Sequence, residues 1–192
     1  MTTTRRTALI AAAVTPIAAP ALASGLADKV APGPGRKGAA RDFDWLAGSW
    51  NVKHHRLKSR LTGSTEWEDF DGASVCWLTL DGLGTCDDNL LQLPDGDYRA
   101  MGVRAFDPKD GLWSIWWIDG RNPRPPLDPP VRGGFKDGMG VFECDDTLRG
   151  QPIRVRYTWD QITKTSARWQ QAFSPDGGKT WEVNWVMGFS RA

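Results

Sequence analysis

The chain has 192 residues, 24 Lys+Arg against 23 Asp+Glu for a formal charge of +1, and a 40% hydrophobic content. That length fits one globular domain; the balance of charge supplies no basic field for nucleic acid, and the apolar content is too high for a disordered chain. Eleven Trp stand out, and neither a spanning helix nor a coiled coil is written in the sequence.

Residues 1–40 hold 12 of the 19 alanines and none of the 18 Trp and Phe residues. Two materials are joined here. Arg5-Arg6, an apolar run from Ala8 to Ala19, and Ala21-Leu22-Ala23 follow the charged, apolar and small-residue order of an export signal, expected to end after Ala23. Thr4-Arg5-Arg6-Thr7-Ala8-Leu9 resembles a twin-arginine signal, whose passengers fold before export. Pro16 interrupts the run, which is too weak to span a bilayer. Residues 24–41, rich in Gly, Pro and Lys, read as a flexible linker. The folded body is expected over 42–192. Removal of Arg5 and Arg6 with the signal leaves 22 basic against 23 acidic residues, so the mature chain is near neutral as well.

From residue 42 onward short strand signals follow one another. Strands are predicted at 50–61, 65–80, 85–93, 98–107, 112–119, 131–136, 139–144, 153–159, 167–174 and 181–189. Gly-bearing joints such as Asp81-Gly82, Asp95-Gly96 and Asp137-Gly138 separate them. Trp181, Val183, Trp185, Met187 and Phe189 occupy alternate positions, the period of a strand with one buried face. About ten antiparallel strands joined as hairpins make an all-β barrel or sandwich. The run 123–130 holds five Pro in eight residues; it is a stiff loop, either a surface connection or a lid over a barrel mouth.

Cys76, Cys86 and Cys144 are an odd number, so at least one thiol is free or pairs between chains. Cys76 and Cys86 flank a turn, where a cross-hairpin disulfide or two small buried side chains would both fit. No zinc spacing occurs. Ser174-Pro175-Asp176-Gly177-Gly178-Lys179-Thr180-Trp181 fits the Asp-box pattern at each fixed position. One copy in a body too short for a propeller reads as a hairpin element and not as a glycosidase mark.

Phe43-Asp44-Trp45-Leu46-Ala47-Gly48-Ser49-Trp50 resembles the opening of the calycin barrels: lipocalins, fatty-acid-binding proteins and nitrobindins. With the run from Trp50 to Lys58, Trp113 to Asp119, Trp169 to Ser174 and Trp181 to Trp185, residues 42–191 resemble a bacterial lipocalin-like (calycin) domain-of-unknown-function family. The resemblance implies an up-and-down barrel and transfers no activity. Nitrobindin-type haem needs a His on a late strand, whereas His54 and His55 lie on the first. No cofactor and no metal are expected.

Nucleophile-elbow, Walker and dinucleotide motifs are absent. Glu66 and Glu68 could be drawn as a carboxylate pair but read as solvated outer-face charges. Adjacent strand residues face opposite ways, so only one of His54 and His55 enters the barrel. If Trp50 faces inward, His54 and Arg56 do too. His54 is then either a general base or a core His bonded to a Trp or Glu. Trp113 with Trp117, Trp169 with Gln171, and Trp181 with Trp185 share faces by the same count. Arg104 is in phase with Tyr98 and Phe106, an inward charge in need of a partner or an anionic ligand. Arg154 and Arg156 read as solvated. The expected function is an exported, monomeric barrel holding a small apolar or amphipathic molecule against Trp walls. The alternatives are an isomerase or cyclase in the same cavity with His54 as base, and a filled barrel serving as an extracytoplasmic scaffold.

Overall fold

A computed structural model describes residues 37–124 and 126–192; the expected signal at 1–23 and the first part of the expected linker lie outside the described residues. Among the described residues ten strands run antiparallel: β1 (Gly48–Leu57), β2 (Trp67–Thr79), β3 (Gly84–Leu93), β4 (Gly96–Asp107), β5 (Leu112–Asp119), β6 (Val131–Lys136), β7 (Met139–Leu148), β8 (Gln151–Asp160), β9 (Ser166–Ser174) and β10 (Glu182–Arg191). Each pairs with the next along the chain, and β10 pairs with β1 to close the barrel. The expected order of strands is therefore observed. β1 ends at Leu57, four residues early, and β7 runs on to Leu148. Nothing in the local composition marked either end.

Alternation sorts the strands into an inner and an outer face. On β1, Trp50, Val52 and His54 are buried while Asn51, Lys53 and His55 are exposed. His55 stays outside, flat against Trp67 at 4.2 Å between ring centroids and 2.7 Å from Asp69.

One end of the barrel is plugged. A 3-10 turn, Asp44–Leu46, drops Phe43 and Leu46 into the interior. Phe43 meets Trp113 and Phe135 edge-on, each at 5.0 Å. Trp50 donates its indole N–H to the Leu46 carbonyl at 2.7 Å. The Arg191 guanidinium lies 3.8 Å over the Trp50 ring and donates to the carbonyls of Trp45 and Ala47. This satisfies the carbonyls of a turn that no sheet reaches. Composition alone puts residues 38–41 in the linker, yet they are bound to the barrel. The Gly38 N–H donates to Gly111 at 2.8 Å, the Arg41 N–H to Gly82 at 3.2 Å, and the Trp113 indole to the Ala39 carbonyl at 3.0 Å.

The other end is the mouth. There the hairpin between β9 and β10 is tied by the Asp176 carboxylate, which accepts from the Lys179 and Thr180 N–H groups at 3.0 and 2.9 Å. Those bonds, with the Thr180 and Ser174 hydroxyls, hold Asp176 well below the usual carboxylate range. Trp181 folds back to donate to the Gly178 carbonyl at 3.0 Å. Beyond it the pairing slips between Val183 and Trp185, leaving Asn184 as a bulge. The bulge reverses the phase of the strand. Trp181 and Val183 therefore face outward and Trp185, Met187 and Phe189 inward, which corrects the expectation that Trp181 and Trp185 share a face.

On that outer surface Arg154 and Arg156 are not simply solvated, as expected, but close over Glu143, which is 2% exposed. Arg154 donates to one carboxylate oxygen at 2.8 Å and Arg156 to the other at 2.6 Å. Arg156 also lies 3.7 Å over the Trp181 ring. The three cysteines are free. Cys76 sits opposite Asp87 and Cys86 opposite Trp77, one residue out of register, so one side chain points inward and the other outward. A cross-hairpin disulfide is excluded by that geometry.

Candidate functional site

The barrel interior holds two adjacent chambers. The inner one has a volume of about 60 Å³ and lies above the aromatic plug. The outer one, about 240 Å³, opens at the mouth. Ile115, Trp117, Tyr157, Gln171 and Trp185 border both and form the waist between them. Two indoles, Trp117 and Trp185, stand in the waist wall, backed by Trp169 on the inner side. Trp185 stands edge-on to Trp117 at 6.1 Å and to Trp169 at 5.6 Å, and Tyr157 packs on Trp169 at 4.9 Å. Such pairs fix ring orientation as well as filling space.

The inner chamber carries a buried ion pair. Arg104, expected as an inward charge, points in from β4 and donates to Asp87 on β3. The other Asp87 oxygen accepts from Asn89 Nδ2 at 2.5 Å and from the Gly102 N–H at 3.0 Å. A side chain at Gly102 would begin 2.6 Å from that carboxylate, so only glycine leaves Asp87 room to lie across β4. The guanidinium lies 5.1 Å from the Phe43 ring and 5.9 Å from the Trp159 ring. Arg104 thus has its partner within the protein, and an anionic ligand at this depth would face Asp87 as well. This overturns the reason for expecting an anion there.

At the mouth the charges are more numerous. Arg56 pairs with Glu68 at 2.6 Å, and Arg121 pairs with Asp119 at 2.6 Å while lying 3.8 Å over the Tyr98 ring. Glu68 is therefore an inward, paired group and not the solvated outer charge expected; Glu66 is exposed and reaches only Lys58. Burial raises Asp146, and Asp128 beside it raises it further. Asp128 and Pro129 from the Pro-rich connection line the outer chamber, with the Cys144 thiol 3.8 Å from the Pro129 carbonyl. β6 pairs with β5 only along Trp113, Ser114 and Ile115. The stiff loop stands where the wall between β5 and β6 would otherwise continue.

His54 is inward but closed off. Its ring stacks on Phe70 at 4.4 Å and its Nδ1 accepts from the Trp185 indole N–H at 3.2 Å. Gly72 permits this, since a side chain there would start 2.7 Å from His54 Nε2. The ring borders a shallow outer groove with Lys53, Asp69 and Asp71, and neither interior chamber. Burial, with Arg56 adding to it, lowers its pKa to about 4. His54 is accordingly neutral at physiological pH, with its proton on Nε2.

A pH dependence follows from this. The folded state holds His54 near 4 and the unfolded state near 6.5, so the unfolded chain binds the proton first as pH falls. His54 stabilises the fold above pH 6.5 by a margin that is lost on descent to pH 4, about 3 kcal/mol in total. Urea melts at pH 7 and pH 4 are expected to show wild type losing that much more than His54→Gln. Equal losses in the two proteins would disprove the assignment.

Of the side chains expected to line a site, Arg104, Trp117, Trp169, Gln171 and Trp185 border the inner chamber and Arg56 the outer. Trp50 and Trp113 belong to the plug, 1% and 0% exposed, and Trp181 is on the outside. Sequence reasoning passed over Tyr157, Asp87, Asn89 and Arg60. Asp87 and Asn89 are two apart on one face, but only the pairing of β3 with β4 sets them beside Arg104. Thiolate chemistry has no support, because burial pushes Cys76 up to about 11 and Cys144 up to about 12. Among the described residues no three His, Cys, Asp or Glu side chains gather as a metal site.

Fold and cavity together define a ten-stranded lipocalin-like barrel, the fold of the calycin group. No family model and no curated protein matches the chain. Among solved structures it is similar to the S-type phycobiliprotein lyase CPES from Guillardia theta, with a TM-score of 0.51 and 9% identity over 78% of this chain and 90% of that one. It is also similar to EF1p2_mFAP2b bound to DFHBI, with a TM-score of 0.40 and 11% identity over 80% of this chain and 98% of that one. The likeness to the lyase establishes the fold alone.

Proposed function

We propose that this protein is an exported, monomeric carrier that binds one small amphipathic molecule inside the barrel. A planar or ring-bearing body lies at the waist against Trp117, Trp169 and Trp185. A neutral polar end reaches Ser74 and Asn89 in the inner chamber. The observation that carries this reading is the aromatic waist shared by two chambers, with polar groups placed at both ends of an apolar wall. Binding is favoured over base catalysis because His54 has Nδ1 occupied by Trp185 and borders neither chamber. Export is supported by the order of Arg5-Arg6, the apolar run and Ala21-Leu22-Ala23. A closed barrel leaves little sheet edge for pairing with a second copy, confined to the short β5–β6 seam.

One experiment addresses both halves. Protein purified from the extracytoplasmic fraction of its own host is examined by native mass spectrometry. The expected species lacks residues 1–23 and carries a small-molecule adduct that organic extraction removes. A clean apo mass across preparations would refute a resident ligand, and an intact N-terminus in the cytoplasmic fraction would refute export.

A further inference from the structure

We propose that Arg60 is the anchor for a single anionic group of the ligand, a carboxylate or sulfonate held in the outer chamber above the aromatic waist; this rests on the ligand-binding reading above. The other arginines that line the two chambers are already neutralised. Arg56 has Glu68, Arg121 has Asp119 and Arg104 has Asp87. Arg60 lines the outer chamber and has no carboxylate partner among the described residues. Its Nε is buried without a hydrogen-bond partner, and its guanidinium lies 5.8 Å from the Phe173 ring.

The backbone around it is fixed. The Arg60 carbonyl accepts from Arg149 at 2.7 Å. The next N–H, of Leu61, donates to both oxygens of Glu182 at 2.8 and 3.0 Å. Glu182 is therefore engaged by main chain and not by the Arg60 guanidinium. Burial, with Arg56 close by, disfavours the charged form of Arg60. A guanidinium nevertheless stays protonated in proteins, so the strain is relieved by a counter-ion. Among the described residues no carboxylate pairs with Arg60, since Glu68 is taken by Arg56, and the ligand supplies the counter-ion.

The same chamber limits the ligand to one negative charge. Asp128 and Asp146 line it, and Asp146 has no cation partner among the described residues. The charges acting on Arg60 are Arg56 and Glu68, whereas Asp128, Asp146 and Arg60 all act on the buried, neutral Tyr157. Tyr157 thus stands between an acidic wall and a basic one. A monoanion satisfies the Arg60 side, and a second negative group would meet Asp128 and Asp146.

The test compares two naphthalene dyes on the full chain: anionic 1-anilinonaphthalene-8-sulfonate and neutral N-phenyl-1-naphthylamine. Both are expected to bind and to displace one another, which places them in one cavity. The sulfonate is expected to bind about tenfold more tightly. Arg60→Met is expected to abolish that tenfold preference and Arg60→Lys to retain most of it, with circular dichroism and melting curves matching wild type. A preference unchanged in Arg60→Met, with both dyes still bound, overturns the anchor and leaves the carrier reading intact. Failure of the wild-type protein to bind either dye overturns both. If Arg60→Met does not fold, Arg60→Gln and the salt dependence of the wild-type preference decide. A preference that does not weaken between 0.05 and about 0.5 M salt counts against an ionic anchor.

Discussion

Replacing Asp87 with alanine is expected to destabilise the barrel by about 3–5 kcal/mol, measured as a shift in the urea midpoint at pH 7. The change strands Arg104, whose side chain is 8% exposed, with only Thr85 at 3.3 Å for a polar partner. It also removes the acceptor for Asn89 and for the Gly102 N–H. Desolvating two charges costs nearly as much as their attraction returns, so the pair as a whole contributes far less than the single substitution suggests. The double variant D87L/R104M is expected to recover most of the loss. Gly102→Ala provides an independent approach to the same pair, because the new methyl would stand 2.6 Å from the carboxylate. A loss below about 1 kcal/mol in Asp87→Ala would contradict this account of the inner chamber.

Trp185→Ala is expected to cost about 3–5 kcal/mol and to lower the melting temperature by roughly 10 °C. Its indole is 7% exposed, packs against Trp117 and Trp169, and borders both chambers. Truncation merges the chambers and removes the donor to His54. Trp185→Phe separates the two effects. It keeps most of the packing, leaves His54 Nδ1 without its donor, and is expected to cost about 1–3 kcal/mol. The same variant is expected to raise the His54 pKa, followed by proton NMR of the ring, since Nδ1 becomes free to take a proton. A pKa unmoved from about 4 would mean that burial and Arg56 hold it there without the Trp185 bond.

The strand order was legible because alternation and Gly-bearing turns are local signals. β5 and β6 were read with their observed bounds. What failed was anything that depends on one residue of register. The Asn184 bulge turned Trp181 outward, and no propensity marks a bulge in an apolar, Trp-rich strand. Arg104 was placed inward by its phase with Tyr98, but its partner was invisible because Asp87 lies 17 residues away across a hairpin. Residues 38–41 looked like linker because Gly and Ala carry little side-chain signal; their docking runs through backbone groups. Arg60 went unnoticed for a similar reason. It lies beyond β1 on the connection to β2, where alternation gives no inward or outward assignment.

Closure of the barrel also constrains when it can form. Nine of the ten seams join neighbours in sequence, whereas the last sets Trp50 opposite Arg191. Local hairpins can assemble as the chain is made, but this seam requires two segments about 140 residues apart to meet, a slow kind of contact. It also needs β10 as far as Arg191, which pairs with Trp50. Loss of Arg191 removes the clamp on the carbonyls of Trp45 and Ala47. The β1–β10 seam acts as the latch of the fold, and its closure is the event that lets folding finish.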